Sequence, residues 1–147
     1  MQYLLGEFDS TVDPKGRFLL PAAIKKQLPE DATQFVMNRG FEECITIYPL
    51  YAWQPIFAKV NSLNRFKPEV REFQRNFLRG VAQVELDSAG RLLLTKNLIE
   101  YASISKDIVV VASGDKMELW DKENNTHYQG IGSMAGVEIV DAEDLVM

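Results

Sequence analysis

The sequence holds one cysteine, Cys44, and one histidine, His127, in 147 residues. A lone cysteine excludes an internal disulfide and any Cys-rich zinc site. A lone histidine leaves most metal and His-based catalytic sites without their parts, and a reduced, cytosolic compartment is the simplest placement. No run reaches the roughly 18 apolar residues that a membrane-spanning helix needs. The opening MQYLLGEFDS has no basic stretch and turns acidic at once, so no secretory signal is expected. The chain also lacks a Walker loop, a G-x-S-x-G elbow and an H-E-x-x-H pair. Cys44 lies in a strand-like apolar run, where a buried, inert thiol is the usual outcome. His127 follows KENNT, away from any motif, and the adjacent Glu42 and Glu43 point apart on an extended chain. No enzyme activity, cofactor, metal, small-molecule substrate or membrane contact is therefore expected.

Acidic residues outnumber basic ones by 21 to 16, for a formal net charge of −5. That balance alone speaks against a polyanionic partner, but its distribution does not. Residues 59–80 carry six basic and two acidic side chains, while residues 115–147 carry two basic and eight acidic ones. A locally basic face on an acidic chain is enough for phosphate. At 46% hydrophobic and 25% charged residues the chain has the composition of an ordinary folded domain.

What the chain does have is an internal repeat. GEFDSTVDPKGRFLLPAAIKKQL from Gly6 and GVAQVELDSAGRLLLTKNLIEYA from Gly80 share six of 23 positions at a constant offset of 74. The identities include Asp13/Asp87, Gly16/Gly90, Arg17/Arg91, Leu19/Leu93 and Leu20/Leu94. Further on, Gly40 matches Gly114, and CITIYP resembles MELWD once a gap of two is allowed. We expect a first repeat over 1–58, a helical connector over 59–79, a second repeat over 80–128 and a flexible acidic tail over 129–147.

Each repeat reads as strand, tight turn, short strand, helix and two further strands. Asp13-Pro14-Lys15-Gly16 has a type I turn signature, and Asp87-Ser88-Ala89-Gly90 keeps its Asp and Gly. Short strands follow at Arg17–Leu20 and Arg91–Leu94, and Pro21 suits the first turn of a helix whose apolar stripe is Ile24 and Leu28. Strand pairs are expected at Gln34–Met37 with Ile45–Tyr48 and at Ile108–Ala112 with Met117–Trp120. Neither repeat buries enough alone. The expected fold is mixed α/β and mainly β, with the repeats interleaving their strands to close one small barrel. Between them, helices are expected over Ala52–Leu63 and Pro68–Arg79. On the second, Val70, Phe73 and Phe77 fall within about 60° and read as a core face. Arg71, Arg75 and Arg79 fall within about 80° opposite and read as a basic ridge.

The two D-x-x-G-R turns are the strongest candidates for function. Gly allows the turn, Asp can accept backbone N–H groups across it, and Arg then starts the returning strand from a rigid tip. A guanidinium held this way suits guanine edges or phosphate. Lys15 adds a cation to the first tip, whereas its counterpart Ala89 adds none. The residues alone leave a second reading open, in which Asp13–Arg17 and Asp87–Arg91 are ion pairs that only staple the turns. The helix arginines, with Arg65 and Lys67, could meet phosphate or simply face solvent or a neighbouring subunit. Trp53, Trp120, Tyr48, Phe41, Phe57 and Phe66 read as core or interface anchors.

DPKGRFLLP at Asp13–Pro21, DSAGRLLL at Asp87–Leu94, FQRNFLRGV between them and the closing ELWD together resemble the MraZ family of bacterial regulators. The resemblance covers residues 1–128. It implies two AbrB-like swapped-hairpin repeats and a cytoplasmic, nucleoid-associated transcription regulator. Its expected partner is double-stranded promoter DNA with direct repeats, at the division and cell-wall gene cluster, bound by a ring-shaped homo-oligomer. Carried over by position, it implies DNA contact by Asp13, Arg17, Asp87 and Arg91, with Lys15 inside the first loop. Thr95 in place of Pro21 and Ala89 in place of Lys15 are departures, and the second loop is expected to contribute less charge. The rivals are a toxin-binding or developmental regulator of the same superfold and a structural ring whose loop arginines are fully buried in ion pairs.

Overall fold

The computed structural model describes residues 4–123. The first repeat runs β1 (Leu4–Thr11), β2 (Arg17–Leu19), α1 (Ala22–Gln27), β3 (Gln34–Arg39) and β4 (Ile45–Pro49). Two helices follow, α2 (Leu50–Asn61) and α3 (Pro68–Leu78). The second repeat runs β5 (Ala82–Glu85), β6 (Arg91–Leu93), α4 (Lys96–Tyr101), β7 (Asp107–Gly114) and β8 (Lys116–Asp121). His127 and the expected tail lie outside the described residues.

Six strands form one antiparallel sheet in the order β1-β7-β8-β4-β3-β5, and β2 pairs with β6 as a separate ribbon. The order is its own mirror when the repeats are exchanged. Each repeat gives its first strand to the third strand of the other: β1 pairs with β7 and β5 with β3. In the ribbon, Phe18 faces Leu92, its counterpart at the repeat offset, so a pseudo-two-fold axis passes through that pair.

The sheet is open, and this corrects the expected closed barrel. Among the described residues, β1 and β5 do not pair. The ribbon occupies the opening instead. Val12, just past β1, bridges to Phe18, and the Ser10 hydroxyl donates to the Leu19 carbonyl. The β1 edge is satisfied by a side chain: Gln27 Oε1 accepts the Leu5 N–H at 2.7 Å and Gln27 Nε2 donates to the Leu5 carbonyl at 3.0 Å. An edge whose backbone is bonded this way has less need of a partner strand.

The ribbon's inner residues, Phe18 and Leu92, close the main core with Ile24 of α1, Leu98 of α4 and the inward residues of the sheet, Phe35, Met37, Ile45, Ile47, Ile108, Val110, Met117 and Leu119. Alternation along β3 sends Val36 the other way, into a smaller cluster with Tyr48 and Trp53 under α2 and α3. Pro49 caps α2, and Pro55 lies inside it, where it lacks the N–H that would bond the Tyr51 carbonyl. Pro21 stands one place before α1, as its cap, and at the equivalent position Thr95 accepts the Leu98 N–H and caps α4.

The expected core face of α3 is only half covered. None of its residues is buried, although Phe77 stacks on Trp53 with ring centres 5.8 Å apart. Trp120, Trp53 and Tyr48 are buried as expected, whereas Phe41, Phe57 and Phe66 are exposed. No helix among the described residues is long and apolar enough to cross a membrane.

Candidate nucleic-acid interface

The turn between β1 and β2 is tied by five hydrogen bonds. Asp13 N donates to the Arg17 carbonyl at 2.8 Å and Gly16 N to the Asp13 carbonyl at 2.9 Å. The carboxylate closes the loop from inside. Oδ1 accepts the Lys15 and Arg17 N–H groups at 3.0 and 2.9 Å, and Oδ2 accepts Arg17 Nε at 2.8 Å. The turn between β5 and β6 repeats every bond with Asp87, Ala89, Gly90 and Arg91, at lengths within 0.1 Å of the first. Gly16 and Gly90 hold φ of +88° and +83°, a region costly for any side chain, which is why both turns need glycine there.

These bonds hold each carboxyl below its usual range. The strongest cause is the N–H of Arg17 at Asp13 and of Arg91 at Asp87, reinforced by the guanidinium and opposed by partial burial. The ion-pair staple is therefore real, and it consumes only one face of each guanidinium. Nε is bound to the carboxylate, while among the described residues no partner engages either terminal nitrogen. The Arg17 and Arg91 side chains stay 27% and 35% exposed. They are not the fully buried pairs of a purely structural ring. Stapling and presentation use different atoms of the same arginine.

The swap sets both turns on one surface. Leu94 N donates to the Gly16 carbonyl at 2.8 Å and Leu20 N to the Gly90 carbonyl at 2.9 Å, so the turns flank opposite ends of the ribbon. Four residues of extended chain separate those ends, roughly 13 Å. Between them the outward ribbon residues pair crosswise, Arg17 with Leu93 and Arg91 with Leu19. Leu19 and Leu93 are 57% and 52% exposed despite being short-strand apolar residues. They were not singled out in the sequence, although alternation with buried Phe18 and Leu92 was a signal for it. Lys96 and Lys106 also border the first turn, in a groove with Lys15, Pro14 and Ile99. Lys106 arrives because its carbonyl accepts the Val12 N–H, a contact made by the swap and invisible along the chain.

The basic ridge is not part of this surface. Arg71 and Arg75 lie on α3, which packs on the opposite side of the sheet from the ribbon, whereas Arg79 is the extended cap after α3 and borders a groove with Asn97 and Tyr101 instead of continuing the ridge. Arg71 donates to the Arg65 carbonyl and Arg65 to Asn61. No arginine of the ridge makes an ion pair among the described residues. Cys44 is completely buried, and burial first, then the charge of Glu118, pushes its thiol up to about 12. Among the described residues no three His, Cys, Asp or Glu side chains gather as a metal ligand set.

Comparison with known proteins places the chain in a family. The family model described as "MraZ protein, putative antitoxin-like" matches twice, over residues 3–76 and 77–134. A protein of Cytophaga hutchinsonii named transcriptional regulator MraZ is 50% identical over 124 residues, covering 84% of this chain and 82% of the relative. One of the same name from Christiangramia forsetii is 42% identical over 82% of this chain and 79% of its own. One from Thermoanaerobacter sp. is 35% identical over 96% of both. Two tandem matches to one family model, on the two halves that interlock in this fold, make the chain a member of the MraZ family.

Proposed function

We propose that the protein is a sequence-specific, DNA-binding transcriptional regulator that grips promoter DNA through the two D-x-x-G-R turns. The single observation that carries this reading is the pair of matching turns on one surface, each holding an arginine by Nε and leaving its terminal nitrogens unengaged. Two parallel N–H donors on a planar group match guanine O6 and N7, or two phosphate oxygens. Asp13 and Asp87 position, Arg17 and Arg91 read, and Lys15 adds phosphate attraction. No step of bond chemistry is assigned. The repeats over 1–58 and 80–128 supply one turn each, with 59–79 as connector.

One pair of turns makes few contacts, and specific binding needs several phosphate contacts plus base readout. A homo-oligomeric ring would repeat the turns at fixed spacing and meet direct repeats in one promoter. Each engaged turn then raises the effective concentration of the next. A head-to-tail contact that closes gives such a ring. By the same resemblance, the target is the promoter of the division and cell-wall gene cluster, and the location is the cytoplasm, on the nucleoid. The net charge of −5 is compatible with this, since only the turn-bearing surface meets DNA.

The test is fluorescence anisotropy with the duplex upstream of this protein's own gene, across a salt series. Wild type should bind and weaken with salt. Arg17→Ala with Arg91→Ala should lose binding while circular dichroism is unchanged. The rival reading, a scaffold, rests on the Asp–Arg staples themselves. It predicts the opposite for that double variant: loss of fold or assembly, with no DNA bound by the wild type.

A further inference from the structure

The repeat offset pairs Lys15 with Ala89, and it also pairs Ile99 with Lys25. The swap gives the second pair a meaning. It lays α4 of the second repeat beside the first turn and α1 of the first repeat beside the second turn. At Gly16, the position a Cβ would take lies 3.5 Å from Ile99 Cδ1. At Gly90 the equivalent position lies 3.9 Å from Lys25 Nζ. Where one turn has an apolar methyl, the other has an ammonium.

The two exchanges are opposite in sign and fall on the same two turns. The first turn carries its own cation, Lys15, and on its flank Ile99 stands where the second turn has Lys25, with Lys96 and Lys106 bordering the same groove. The second has Ala89 within the turn and a cationic flank from the other repeat. Lys25 is exposed and makes no ion pair among the described residues. The nearby Asp87 carboxylate is already committed to Arg91 and to two backbone N–H groups. The second turn still has fewer cations about it than the first, but Lys25 brings one that the turn's own sequence lacks.

We propose that Lys25 of the first repeat and Arg91 of the second form a composite binding point for a DNA phosphate, in which Lys25 supplies the cation that Ala89 lacks. This rests on the reading that the turns bind DNA, and it adds a residue outside both motifs. Position 89 can accept a lysine, because the Ala89 and Lys15 N–H groups make the same 3.0 Å bond to their aspartates.

The experiment is a four-way comparison by anisotropy with the upstream duplex at rising salt: wild type, Lys25→Ala, Lys26→Ala, and Lys25→Ala with Ala89→Lys. Loss of one phosphate contact should weaken binding about fivefold per engaged protomer near 0.15 M salt and reduce the salt slope by about 0.9. We expect that for Lys25→Ala, none of it for Lys26→Ala, and full recovery when Ala89→Lys returns the charge to the turn. Alanine is a better helix former than lysine, so circular dichroism should be unchanged. Wild-type affinity and slope in Lys25→Ala, or failure of Ala89→Lys to restore them, would overturn the proposal. If Arg17→Ala with Arg91→Ala loses DNA in the same assay, such a result removes Lys25 alone. If that variant binds like wild type, the reading of the turns fails as well.

Discussion

Asp13 and Asp87 show how one side chain can set both the shape and the reach of a loop. Each accepts two backbone N–H groups and one guanidinium nitrogen. Asp13→Asn should separate these duties. It makes the protein one charge more positive, which by simple electrostatics favours DNA. It also removes the second acceptor oxygen and aims an amide at Arg17 Nε. We expect the specific duplex to bind at least tenfold more weakly while a scrambled duplex binds no less; tighter specific binding would show that Asp13 does not position Arg17. The pH dependence has a fixed sign. A carboxyl held below its ordinary value of 3.8 stabilises the folded turn at pH above that value, and the contribution is lost as pH falls through the folded pKa. Specific binding should therefore be flat in this respect from pH 7 to 5. Cys44 gives an independent check on packing. With the thiol pushed up to about 12, a thiol-reactive dye at pH 8 should label the native protein negligibly and the urea-unfolded protein once. At this scale the sequence was most legible, since spacing alone located Asp, Gly and Arg in both turns. It left stapling and reading as alternatives because residue types do not say which nitrogen is used.

The ribbon of β2 and β6 links the turns to the core. Its inner residues alternate with its outer ones, so Phe18 and Leu92 are buried while Leu19 and Leu93 face out. Phe18→Ala removes a ring from the core at the point where the repeats meet, and the site has neighbours on all sides. A loss of about 3–5 kcal/mol is expected, read as a lower urea midpoint with an unchanged slope. Leu19→Ala, one residue on, should change stability by about 0.5 kcal/mol or less. Equal losses at the two positions would mean that the ribbon is not seated as described. The strands and helices were readable from period and turn residues, including α2 with Pro55 inside it. The pairing was not. Alternation says which side of a strand is buried and is silent about which strand lies beside it, so an interleaved closed barrel was a fair expectation. The edge at β1 is bonded by Gln27, a polar residue in a short helix whose bonds to Leu5 have no sequence signature. Lys25, Lys96 and Lys106 were missed for the same reason, since each reaches a turn across the interlock of the repeats.

Across the whole molecule, the two sides of the sheet are built for different contacts. The ribbon side carries the turns. The α3 side carries arginines that make no ion pair among the described residues, and an aromatic patch in which Phe41 is 85% and Phe73 40% exposed, both within ring-contact distance of Phe77. The proposed ring needs a subunit contact, and this patch and the basic ridge are rival ways to supply it. They respond oppositely to salt. At about 1 M salt the Debye length is roughly 3 Å, so contacts made by the ridge with acidic groups should dissociate, whereas apolar contacts should hold or tighten. Exposed aromatics that cluster are the usual centre of a protein contact, and charges its rim. We therefore expect light scattering to give the same oligomer mass at low and high salt, and Phe73→Glu to reduce that mass with circular dichroism unchanged. The reverse pattern, salt-driven dissociation and an intact Phe73→Glu oligomer, would assign the contact to the ridge. DNA binding then tests the assembly's role. Phe73→Glu leaves every turn residue in place, so a single turn should retain its weak contact with a short duplex. Affinity for the promoter duplex should fall about a hundredfold or more, because the gain from tethered neighbours is lost. Promoter affinity equal to wild type in a dissociated variant would mean that one protomer suffices and that the ring is not part of DNA recognition.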